Sequence, residues 1–203
     1  MKLPPLILAS RSPRRRLLLK QIGLSFTVRP SSAAERIHKH ESPARNVRRV
    51  ALEKARDVSR TVRKGIIIGA DTVVVIDGSI LGKPRTRKEA RKMLRKLSGR
   101  VHTVYTAFVL VEAGSGRRSG EVVKTRVRFN KLSREEIAQY VKSGSPLDKA
   151  GAYGIQDDFG AVFVDRIEGD FYNVVGFPLA RFYRRLQDFI KNQKSTAKGS
   201  SSW

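Results

Sequence analysis

The sequence predicts an α/β protein whose mixed, twisted sheet carries flanking helices. Three observations predict it. Short apolar or β-branched runs alternate with capped amphipathic segments, a hairpin pattern occupies the second half, and polar clusters recur where strands give way to loops and helices. The length of 203 residues fits one domain, or one domain split into two lobes by a cleft.

The elements follow in order. Leu6-Ile7-Leu8-Ala9 reads as a short buried strand, and Ser12-Pro13 as an N-cap with proline at the first helical position. The helix from Arg14 to Ile22 carries Leu17, Leu18 and Leu19 and stops at Gly23. Phe26-Thr27-Val28 is a second strand, and Ser42-Pro43 opens a helix that spaces Val47, Val50, Ala51, Ala55 and Val58 helically. The β-branched run from Ile66 to Ile76 is a long strand closed by the turn pair Asp77-Gly78. Thr86 with Glu89, and Ser133 with Glu136, are capping boxes for two further helices. Between those helices lie strands near Thr103–Glu112 and Val122–Phe129, joined across Gly114–Gly120. Ala161–Ile167 is a last strand, and Pro178 starts an amphipathic helix through Leu179, Phe182, Leu186 and Ile190. The domain is expected over 1–190, with a disordered polar tail at 191–203.

Composition narrows the function classes. No run approaches the ~20 apolar residues of a membrane span, and the apolar stretch after Met1 is too short for a secretory signal. The absence of cysteine leaves only oxygen or imidazole for a metal. A soluble cytoplasmic protein is expected. Its 42 Lys+Arg against 18 Asp+Glu give a net charge of +24. That charge suits nucleic-acid binding, steering of anionic small molecules, or a solvated basic face. The cations are scattered among apolar helical positions, with no aromatics interleaved, so nucleic acid is not the expected partner.

Four polar clusters carry chemistry. Ser10-Arg11-Ser12-Pro13-Arg14-Arg15 puts hydroxyls, guanidiniums and a helix N-terminus together, which makes either a polyphosphate site or a cap with exposed arginines. Asp71 interrupts an Ile/Val strand, where an anion is costly unless paired. It is a general base, a cation ligand, or a carboxylate at a bulge bonded to backbone N–H. Lys83, between Gly82 and Pro84, is an ammonium on a restricted loop. Asp148-Lys149-Ala150-Gly151-Ala152-Tyr153-Gly154-Ile155-Gln156 is a polar binding loop or a structural turn, with Gln156 able to read a flat polar ligand.

Taken together, these runs resemble the Maf-like nucleotide pyrophosphatases. The matching segments are Leu8 to Arg15, Glu53-Lys54-Ala55, Gly69-Ala70-Asp71-Thr72-Val73-Val74 and Leu81-Gly82-Lys83-Pro84. Leu97-Ser98-Gly99-Arg100-Val101-His102, Asp148 to Gln156 and Asn173-Val174-Val175-Gly176 complete the set, in order over about 1–190. The resemblance implies two lobes around a cleft. It also implies hydrolysis of a nucleoside triphosphate to the monophosphate and pyrophosphate with a divalent cation (Mg²⁺, Mn²⁺ or Co²⁺), and a homodimer. By resemblance Asp71 is the proton acceptor, and Arg14, Thr72 and Gln156 set specificity. Ser10, Arg15, Lys54 and Lys83 face the triphosphate, and Glu35 joins Asp71 at the metal. Ser-Pro-Arg-Arg with Tyr-Gly-Ile-Gln resembles the branch acting on dTTP and UTP. The rivals are a nucleic-acid-binding protein using the basic surface and an inosine/xanthosine triphosphate pyrophosphatase. The chain departs from the family pattern at Ala34, Ala107, Ser145 and Asp157-Asp158. His102 is expected to be a hydrogen-bonded structural residue.

Overall fold

The computed structural model describes residues 4–156 and 159–198. Its strands are β1 (Leu6–Leu8), β2 (Thr27–Val28), β3 (Ile66–Ile76), β4 (Ser79–Leu81), β5 (Val101–Glu112), β6 (Arg118–Phe129) and β7 (Val164–Glu168). The helices are α1 (Pro13–Gln21), α2 (Pro43–Ser59), α3 (Arg87–Leu97), α4 (Arg134–Lys142), α5 (Phe171–Val175) and α6 (Leu179–Lys198). The sheet order is β2-β1-β3-β5-β6-β7, with β4 paired to β3. β1 runs parallel to β2 and β3, whereas β3/β4, β3/β5, β5/β6 and β6/β7 are antiparallel, so the sheet is mixed as expected.

Local chemistry sets the helix starts. Ser12, Ser42, Thr86 and Ser133 each accept a hydrogen bond from a backbone N–H three residues on. Glu136 closes its box onto Ser133 N at 2.6 Å, but Glu89 reaches past Thr86 to Arg85 N. Asp77 and Gly78 both take positive φ, 50° and 68°, which suits a two-residue hairpin turn from β3 into β4.

The last strand differs from expectation. Residues Phe159–Phe163 form a 3-10 turn and pairing begins only at Val164. A register shift at Arg128/Phe129 ends the β6 ladder there, and Phe163 is buried against Phe129 and Tyr140 instead. The helix expected to end near Ile190 continues to Lys198, because no Gly or Pro interrupts it before Gly199. The tail expected from 191 therefore begins inside α6, and 199–203 lie outside the described residues.

The cleft follows from how β3 is covered. On one face, Ile66, Ile68 and Ala70 join a core with Leu19, Phe108, Phe177 and Phe182. On the same face, Val74 and Ile76 join a separate core with Leu94, Leu97, Tyr140 and Phe163. Thr72 falls between the two. On the opposite face Ile67 and Val73 pack with Ala51 and Ala55 of α2, and Asp71 points that way too. One strand thus serves two lobes and exposes its polar midpoint where they part.

Candidate active site

α1 supplies one wall. Arg15 is buried, and its guanidinium donates to Gly176 O (3.0 Å), Ser10 Oγ (3.2 Å), Ala70 O (3.0 Å) and Thr72 Oγ1 (3.0 Å). Burial pushes its pKa down, opposed by the charges of Asp71 and Glu35. Four protein acceptors occupy most of its donors, so Arg15 holds the backbone beside Asp71 in place. Ser10, turned toward Arg15 and Ser12 N, does not line the cleft. Arg14 projects into it and donates to Asp148 Oδ2 (2.8 Å) and Asp148 O (3.1 Å).

The floor is a chain of opposite charges. Lys54 Nζ lies 2.8 Å from Asp71 Oδ1 and 2.7 Å from Glu35 Oε1, and Lys83 Nζ is 4.0 Å from Glu35 Oε2. The β3/β5 register runs unbroken through Asp71 opposite Ala107, so Asp71 does not sit at a bulge. Gly69 brings the partners together, since a Cβ there would stand 2.1 Å from Ala51 O and force α2 off the strand. Burial pushes Glu35 up, but Lys54 by charge and hydrogen bond, together with Lys83 and Arg15, holds it below the usual carboxylate range.

The opposite wall is the loop that contains Gln156. Gly151 has φ 70° and packs on Val74, where a Cβ would be 2.8 Å from Cγ2. Its N–H donates to Gly82 O at 3.0 Å, which ties this loop to the one bearing Lys83. Tyr153 Oη lies 2.8 Å from His102 Nε2, and Gly154 N donates to Tyr140 Oη. Burial lowers the His102 pKa to about 4 and raises that of Tyr153, so both are neutral struts. Ser145, one of the departures, accepts from Lys149 Nζ at 2.7 Å through both its hydroxyl and its carbonyl. Asp157-Asp158 lie outside the described residues.

Thr72 has a defined polarity. Thr106 Oγ1 spends its single hydrogen on Asn173 O (3.0 Å), so the hydrogen of Thr72 points to Thr106 Oγ1 (3.0 Å) or to Gly176 O (3.5 Å), in either case away from the cleft. Because Thr72 also accepts from Arg15, it presents only acceptor capacity to the cleft.

The cleft measures about 470 Å³ and brings Arg14, Arg15, Glu35, Lys54, Asp71, Thr72, Lys83 and Gln156 together. Arg11, part of the first polar cluster but given no role of its own there, also lines the cleft. Sequence reasoning missed Arg85, which lines it too, and Thr106, which contacts Thr72. Nothing local marks Thr106, one of several threonines on strands.

The sequence profile of the family described as Maf-like protein matches residues 5–189. The chain belongs to the Maf family. The dTTP/UTP pyrophosphatase of Salinibacter ruber is 52% identical over 183 residues, covering 90% of both chains. Those of Moorella thermoacetica and Bacillus pumilus are 48% and 47% identical over 184 residues, covering 91% of this chain and 94% and 96% of theirs. Against this Maf chain the relatives align over nearly their whole length, so both lobes and the cleft between them fall within the matched region.

Proposed function

We propose that this Maf protein hydrolyses dTTP and UTP to the nucleoside monophosphate and pyrophosphate. The observation that carries the reading is the Glu35–Lys54–Asp71 chain at the floor of a cationic cleft that also holds Gln156. Its relatives bear the name dTTP/UTP pyrophosphatase, and the expected compartment is the cytoplasm. Water attacks the α-phosphorus, its proton passes to Asp71, and the bond between the α-phosphorus and the bridging oxygen to the β-phosphate breaks. Pyrophosphate leaves with the bonding electrons, under the charges of Arg14 and Lys83. Lys54, 2.8 Å from Asp71 Oδ1, orients the carboxylate so that its other oxygen faces the attacking water.

The donors present fit a divalent cation. Asp71 and Glu35 each spend one oxygen on Lys54 and keep a second. Among the described residues no group of three or more His, Asp or Glu side chains could hold a metal without help. Mg²⁺, Mn²⁺ or Co²⁺ would take its remaining ligands from substrate phosphates and water, and would neutralise phosphate charge.

For the base, Thr72 offers an acceptor and Gln156 both donor and acceptor. The N3–H flanked by carbonyls in uracil and thymine is a partner of that pattern. The test is pyrophosphate release by purified protein across a nucleotide panel with each of the three metals. Turnover of dTTP and UTP is expected, and no turnover of any triphosphate overturns the reading.

A further inference from the structure

α3 carries six cations, Arg87, Lys88, Arg91, Lys92, Arg95 and Lys96, among its 11 residues. Its apolar residues Ala90, Leu94 and Leu97 are buried in the core. The cations are left on the outer side in two rows, Arg87-Arg91-Arg95 and Lys88-Lys92-Lys96. What looks scattered in the linear sequence becomes one face once the apolar stripe is packed.

Several arginines elsewhere have carboxylate partners, among them Arg49 with Glu41 and Glu53, Arg117 with Glu112, Arg126 with Glu168 and Arg185 with Glu121, while other exposed arginines among the described residues stand singly. α3 differs in stacking six cations in two rows on one side. Among the described residues no carboxylate pairs with any of the six cations of α3. Glu89, the one acid on the helix, is turned to Arg85 N. Like charges four residues apart weaken a helix, so the fold gains nothing from these rows. A groove of about 510 Å³ at the far end, lined by Arg95, Ser98, Leu132, Arg134 and Ile137, adds a guanidinium from α4.

We propose that this face is a docking surface for the phosphate backbone of double-stranded nucleic acid, separate from the nucleotide cleft. Each row spaces its cations by ~6 Å over a helix ~16 Å long, a length over which a duplex presents several phosphates. α3 has no aromatic residue on which unpaired bases could stack. Its apolar residues are committed to the core, so it has no apolar face to bury in a lipid surface. Nucleic acid is not the partner expected from the sequence and stands there only as a rival reading, which is proposed for the α3 face alone.

Fluorescence anisotropy of a labelled duplex of about 20 base pairs, titrated across a salt series, tests the proposal. Wild type binds with log K falling linearly with log salt. Arg91→Glu/Lys92→Glu/Arg95→Glu weakens binding at low salt at least ~10-fold and flattens that slope by about 3. Arg16→Glu/Lys20→Glu/Arg29→Glu removes the same charge from exposed positions elsewhere and leaves binding near wild type. A wild-type thermal melt certifies each fold. If the first triple fails to fold, Lys88→Gln/Lys92→Gln carries the test, with a slope change of about 2. Three results overturn the proposal: no salt-dependent binding by wild type, equal losses in both triples, or binding to phosphatidylserine vesicles with none to duplex. None depends on turnover in the cleft.

Discussion

The Lys54 ammonium lies 2.8 Å from Asp71 Oδ1, reaching it from a helix that Gly69 admits against the strand. Both residues are nearly buried, so the pair is a local neutralisation with one anionic oxygen left over on Asp71. Asp71→Asn keeps the shape and one hydrogen-bonding oxygen but removes the proton acceptor. Its kcat is expected to fall ~10²–10⁴-fold with the thermal melt close to wild type. Retention of more than half of the wild-type kcat would show that Asp71 is not the base.

Lys54→Met tests the neighbouring carboxylate. Burial alone pushes Glu35 up, and Lys54 makes the largest contribution bringing it down. With that charge gone the Glu35 pKa rises, so the acid limb of kcat/KM moves to higher pH as well as the rate falling. An acid limb in the same place, read from a pH–rate profile, would mean that Glu35 takes no part in the reaction.

Arg14→Ala and Lys83→Ala should each raise KM or lower kcat/KM by ~10–100-fold, corresponding to a charge-assisted contact of ~1.5–3 kcal/mol. Arg118→Ala, at the exposed start of β6, should do neither. Arg117 next to it is no neutral control. Its guanidinium lies 3.7 Å above the Phe189 ring and bonds Glu112 and Phe189 O, so Arg117→Ala should lower the melting temperature instead. Equal kinetic losses at Arg14, Lys83 and Arg118 would mean that overall charge, not a site, binds the phosphates.

Base choice should follow Gln156. Wild type is expected to turn over dTTP and UTP well ahead of ATP and GTP, with CTP between. Gln156→Leu should flatten that order more than it lowers the overall rate, because an unpaired polar edge is what a hydrogen-bonding site rejects. The measurement is kcat/KM for the five nucleotides. A purine preference in wild type, or an unchanged order in the variant, would remove Gln156 from the base pocket.

His102 makes acid stability measurable. Its folded pKa is lowered to about 4 by burial, so below pH ~6.5 the unfolded chain takes up a proton that the folded one refuses. Stability is complete above that pH and declines as pH falls toward 4, by up to about 3 kcal/mol from this residue. His102→Gln should remove that slope while lowering stability at neutral pH through the lost contact with Tyr153. Denaturant midpoints between pH 7 and 4 decide it; equal slopes in the two proteins would mean that His102 is protonated in the folded state.

The sequence by itself determined the elements whose causes are local. Serine and threonine caps bond backbone three residues away, the Asp77-Gly78 turn needs only its own φ angles, and the β-branched run of β3 excludes helix over a full 11 residues. It also marked Asp71, because a carboxylate inside such a strand has no local partner. Short elements such as β4 and α5 were not legible, since three or five residues show no period. Only the tertiary structure decided which partners the polar residues have. It gave Asp71 to Lys54, turned Ser10 and Arg15 toward each other and away from bulk solvent, stacked Arg117 on Phe189, and gathered the α3 cations on one side. These outcomes rest on distances between elements far apart in the chain, set by packing such as the close approach of α2 at Gly69, and no short stretch of sequence contains them.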